Sequence, residues 1–130
     1  MKYEWWKLTS HYARCIVEAP FDSVFESLRQ GFGNVYSRKF SFGDGHSVGV
    51  ILGEQYFFRV NSDVAIAVIL QTADKDTTVV EIISDAGGTG MLEVSYAAHK
   101  AYVSDVKKHL KNKNFAVKVE EEIPYYSSEL

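Results

Sequence analysis

The sequence predicts an α+β domain: a curved antiparallel sheet of about five to seven strands with two helices packed on one face. Runs of alternating apolar and polar residues recur along the chain. Two other stretches place apolar residues three and four apart, and turn-forming residues separate the runs. The clearest signal lies in residues 77–112, which read as a strand, a glycine-rich turn and an amphipathic helix ending in lysines.

Residues 8–18 alternate, with Ala13, Cys15 and Val17 on one face and Tyr12, Arg14 and Ile16 on the other, which predicts a half-buried strand. A short helix over 21–30 follows. Pro20 suits a first helical turn, Asp22 and Glu26 complement its positive end, and Phe21, Val24, Phe25 and Leu28 form an apolar stripe. Gly31 is the expected C-terminal cap. Residues 35–42 alternate again, with Tyr36, Arg38, Phe40 and Phe42 sharing a face, and Asp44-Gly45 has the chemistry of a tight hairpin turn.

Residues 48–60 return as one long strand or two short ones, where Gly49 and Gly53 signal a bulge, a bend or the close approach of another backbone. The run 64–71, VAIAVILQ, is apolar on both faces, as a strand in the middle of a covered sheet would be, and it reads as the sheet centre, with the other sheet face solvated or shared. Residues 77–84 complete an antiparallel meander. The second helix, 95–111, aligns Tyr96, His99, Val103, Val106 and Leu110, with lysines in its last turns. Phe115, Val117 and Val119 alternate with polar residues and predict a final strand at a sheet edge. The acidic run 120–122 beyond it reads as solvated. The domain limits are therefore an aromatic N-terminal arm over 1–8, one α+β domain over 9–123 and a flexible tail over 124–130.

The 130 residues suffice for one domain that buries roughly two thirds of its unfolded surface. Fourteen basic and seventeen acidic residues leave a net charge of −3, which supplies no general attraction to phosphate backbones, so nucleic acid is not an expected partner. One cysteine, Cys15, precludes an internal disulfide and a cysteine-built metal site. No signal-peptide core and no apolar run of about 20 residues is present, which predicts a cytoplasmic protein without a membrane partner.

Candidate chemistry is sparse. The Gly87-Gly88-Thr89-Gly90 turn precedes a helix and could present backbone N–H groups to an anion, but it lacks the Lys-Ser/Thr ending of a phosphate loop; glycines permitting a sharp turn are the plainer reading. His99 on the apolar stripe is either a ligand-orienting base or a hydrogen-bonded core residue. His11, His46 and His109 lack metal-ligand spacing, and no cofactor motif is present. Arg14, Arg38 and Arg59 would clamp an acidic group if their strand faces converged, in a pocket lined by Tyr36, Tyr56 and Phe58; solvent-facing arginines are the alternative. Cys15 has no local base and reads as a structural thiol. Tyr3, Trp5 and Trp6 would either close over the sheet edge or dock on a second copy.

The stretch VEAPFDSVF, Val17 to Phe25, resembles the strand-to-helix entry of the helix-grip, or START-like, superfamily, and the helix from Ser95 resembles that fold's closing helix. The resemblance implies a helix-grip-like sheet roofed by a helix over a cavity for apolar ligands. That fold normally ends on its long helix, whereas a strand follows here. Residues 37–110, with their meander, Gly-Gly turn and closing helix, are similar to a small uncharacterised bacterial domain family, which implies a fold and no activity.

Two functions follow as expectations. One is non-enzymatic binding of a small, partly apolar ligand between the sheet and the last helix, using Tyr36, Arg38, Tyr56, Arg59, Tyr96 and His99. The other is self-association, as a homodimer, through an open sheet face or the Trp5-Trp6 arm.

Overall fold

The computed structural model describes residues 10–57, 62–85 and 92–126. The elements run β1 (Ser10–Glu18), α1 (Phe21–Phe32), β2 (Tyr36–Ser41), β3 (Ser47–Phe57), β4 (Ser62–Asp74), β5 (Thr77–Asp85), α2 (Leu92–Asn112) and β6 (Ala116–Tyr126). The strands form one antiparallel sheet in the order β2-β3-β4-β5-β1-β6. Both helices pack on the same face, α1 over β3 and its neighbours, α2 over β1, β5 and β6. No helix of the described residues is long and apolar enough to cross a membrane.

Pro20 sits one position outside α1, where its extended ψ starts the helix and its carbonyl accepts from the Ser23 and Val24 amides. The cap lies two residues beyond the expected Gly31. Gly33 ends α1, with its N–H on the Arg29 carbonyl at 2.9 Å. The extra turn is held by tertiary packing: Phe32 meets the rings of Tyr102 and His109. Gly31 is needed inside the helix because a Cβ there would lie 2.9 Å from His109 Cε1.

Gly45 has φ +84 in the β2–β3 hairpin, as its Asp-Gly turn requires. β3 is one unbroken strand, in continuous register with both neighbours, so Gly49 and Gly53 mark close approach and not a bulge. A Cβ on Gly49 would stand 2.5 Å from the Phe25 ring, and one on Gly53 would stand 2.0 Å from the Phe32 carbonyl oxygen.

The end of α2 explains the last strand. Asn114 takes φ +67, Phe115 N–H reaches the Leu110 carbonyl and Asn114 N–H that of Lys111, a Schellman closure that reverses the chain onto the β1 edge. β6 then runs through the acidic stretch to Tyr126, so residues 120–122 and the beginning of the expected tail are paired strand backbone.

β4 divides its apolar residues between the two faces of the sheet. Val64, Ile66, Val68 and Leu70 are buried beneath the helices, but Ala65, Ala67 and Ile69 face away from them, and Ile69 is 44% exposed. The strand is interior to the sheet, yet among the described residues helices cover only one of its faces.

Candidate functional site

Because side chains alternate along a strand, the registers assign every paired residue to a face. The helix face carries Ala13, Cys15 and Val17 of β1, Ile51 of β3, the buried half of β4, and Val80 and Ile82 of β5. Ala98, Tyr102, Val103, Val106 and Leu110 of α2 join them in one continuous core, so this stretch of the helix is engaged in packing.

Two polar groups are built into that core. Ser84 Oγ donates to the Ala65 carbonyl at 3.1 Å and lies 3.0 Å from His99 Nδ1. A hydroxyl whose proton is given to a carbonyl accepts from the imidazole N–H, so His99 holds the core together and does not activate Ser84. His11 Nε2 meets Glu122 Oε2 at 2.6 Å, and Lys107 Nζ donates to Glu122 Oε1 at 2.8 Å. This cluster joins β1, β6 and α2. The sequence carried no signal for it beyond the acidic run, because its three members are distant along the chain.

Burial alone would raise the Glu122 carboxyl, but hydrogen bonds from Lys107 and His11 override it and hold the group below its ordinary value of 4.5. A depressed carboxylate contributes stability that is complete above the ordinary value and is lost as pH falls through the folded one. The melting temperature of Glu122→Gln should therefore fall less steeply with acidification below about pH 4.5 than that of the parent. Equal slopes in thermal scans from pH 6 to 3 would refute the role given to this cluster.

Cys15 is wholly buried, and burial pushes its thiol up to about 11. It is an inert core residue. Among the described residues no group of three His, Cys, Asp or Glu side chains gathers as a metal site.

Among the described residues no helix covers the opposite face, although Val79 on it is 7% exposed. The register of this face places three rows across the six strands. The first, from β2 to β6, is Tyr36, Leu52, Ala67, Ile83, Tyr12 and Ile123. The second is Arg38, Val50, Ile69, Glu81, Arg14 and Glu121, and the third is Phe40, Val48, Gln71, Val79, Ile16 and Lys118. An antiparallel sheet with one face in water ordinarily shows polar residues there. This face instead keeps tyrosine, phenylalanine, valine, leucine and isoleucine, with no helix of the described residues over it.

Its polar members are tied down locally. Tyr12 donates to Glu81 at 2.6 Å, Arg14 pairs with Glu120 at 3.0 Å, and the Arg38 guanidinium lies 4.7 Å from the Phe40 ring centre. Burial, and then the bond to Glu81, push the Tyr12 hydroxyl well above its ordinary value, so it stays protonated. A hollow of about 230 Å³ opens beside the first row, lined by Val35, Leu52, Glu54, Ala65, Ala67 and Ile83.

Of the residues expected to share a ligand site, Tyr36, Arg38 and Tyr56 lie on strands β2 and β3, and Tyr36 and Tyr56 are about half exposed. His99 lies on the other side of the sheet. Arg59, Phe58 and the side chain of Tyr96 lie outside the described residues, as do Tyr3, Trp5, Trp6 and the Gly87-Gly88-Thr89-Gly90 turn. Arg14 and Arg38 share the open face but stand four strands apart, about 19 Å at the usual strand spacing, so they do not converge on one anion.

The class this defines is an α+β domain whose antiparallel sheet has both helices of the described residues on one face and an apolar-rich opposite face. No family model matches the chain, and no curated protein does. Among solved structures it is similar to the Zhui aromatase/cyclase from Streptomyces sp. R1128, at 15% identity over 78% of this chain and 88% of that one, with a TM-score of 0.34.

Proposed function

We propose that the protein works by association and not by catalysis: it is an interaction module whose open sheet face binds a second copy of the same chain. The observation that supports this is the chemistry of that face. Contiguous exposed apolar surface on the scale of several hundred Å² marks interaction sites in soluble proteins. A second copy is the favoured occupant because the middle row of the face is complementary to itself in charge, with Arg38 at its β2 edge and Glu121 at its β6 edge.

Sedimentation equilibrium tests this directly, with a mass of two chains expected at micromolar concentration and above. Ile69→Glu places a carboxylate at the centre of the face, directly across from Glu81 in its own sheet, while leaving the helix-side core untouched. It is expected to weaken association by about 100-fold or more, with little change in melting temperature at monomer concentrations. A parent protein that stays monomeric at several hundred micromolar overturns the reading.

A second reading, supported by the hollow beside Leu52 and Ala67, is a small apolar ligand on this same face. Its volume of about 230 Å³ falls short of the ~300–1,000 Å³ of ordinary ligand pockets. It suits one inserted side chain better.

A further inference from the structure

Resting on that reading, we propose how the two copies are oriented: they stack open face to open face about a two-fold axis parallel to the strands, so that β2 of each lies over β6 of its partner. Two in-plane axes could bring the faces together with aligned strands, one along the strands and one across them. The charge order of the middle row separates them.

With the axis across the strands, each strand covers its own copy and the middle row meets itself. Arg38 would face Arg38, Glu81 would face Glu81, Arg14 would face Arg14 and Glu121 would face Glu121. Every charged position in the row would meet its like in a desolvated interface. With the axis along the strands, the row meets its own reverse. Arg38 then faces the partner's Glu121, and Val50 and Ile69 lie over the Arg14 stem and Glu81, whose charges are already engaged with Glu120 and the Tyr12 hydroxyl.

The flanking rows agree with this choice. In the first, Tyr36 meets the partner's Ile123, Leu52 meets Tyr12, and Ala67 meets Ile83. Small opposes large at the centre, so each Ile83 enters the hollow beside Ala67 on the other copy. In the third, Phe40 meets the partner's Lys118, a cation over an aromatic ring. Association through the β6 edge is disfavoured by Pro124 and by two register shifts against β1.

Cross-linking distinguishes the orientations. Facing sheets stand about 10 Å apart, too far for a disulfide, so a bis-maleimide of comparable span is the probe. Arg38→Cys and Glu121→Cys are introduced in separate chains. Cys15 is wholly buried and does not compete for reagent. When the chains are mixed, the heterodimer retains one native Arg38–Glu121 pair and brings the two new thiols together. Covalent dimer is expected in the mixture and in neither chain alone.

Covalent dimer from Arg38→Cys alone overturns the orientation, as does its absence from all samples when the mixture sediments as a dimer. In either case self-association itself would stand. A monomeric parent protein would instead remove the reading on which this one rests.

Discussion

Gly53→Ala is expected to destabilise the domain by about 3 kcal/mol or more, roughly 10 °C in melting temperature for a chain of this size. A Cβ at that position would sit 2.0 Å from the Phe32 carbonyl oxygen, with Tyr102 Oη at 3.0 Å and Ile66 Cγ2 at 3.1 Å. The nearest obstacle is backbone at the end of α1, so relief requires the helix to lift from the sheet. That movement would also disturb the packing of Phe32 on Tyr102 and His109. Gly43→Ala is the control, since nothing lies within 4 Å of its Cβ position. Thermal unfolding measures both, and equal melting temperatures for Gly53→Ala and the parent would show that the close approach is not a constraint.

Leu70→Ala should cost about 2–5 kcal/mol, the range for deleting a wholly buried leucine whose surroundings relax only in part. Leu70 lies between Val80 of β5 and Gly49 of β3 in register. Gly49 is roofed by the stacked rings of Phe21 and Phe25, which are themselves held in the core. Little is free to fill the space. The adjoining Ile69 should behave in the opposite way, its replacement by glutamate costing the fold about 1 kcal/mol or less and removing association. Urea titration of the two variants makes the comparison, and similar losses of stability would mean that the two faces of β4 do not differ as described.

Much of this was legible residue by residue. Alternation in β1 placed Ala13, Cys15 and Val17 together, and all three are wholly buried. Alternation in β2 grouped Tyr36, Arg38 and Phe40, which do share a face with their β3 partners. Gly49 and Gly53 signalled a bulge, a bend or a close approach, and nothing near them in sequence chose among the three. The apolar run in β4 did not tell which of its two faces the helices cover, because composition alone does not distinguish them. Its Ala65, Ala67 and Ile69 side looks as buried in one dimension as the Ile66, Val68 and Leu70 side.

The candidate site was less legible. Tyr36, Arg38 and Tyr56 were singled out as aromatic and cationic side chains on strands and were grouped with His99, which the sheet separates from them. Glu122 was passed over as part of a solvated run, yet it binds His11 and Lys107, which lie 111 and 15 residues away.

The sequence by itself determined the elements, their turns and which side chains fall together along each strand, because backbone hydrogen bonding and side-chain periodicity are settled within a few residues. Tertiary structure alone decided that β1 lies between β5 and β6, and which half of each strand, such as Ile66, Val68 and Leu70 of β4, lies under the helices. Those choices depend on contacts between segments far apart in the chain, and no local pattern specifies which surface a helix will cover.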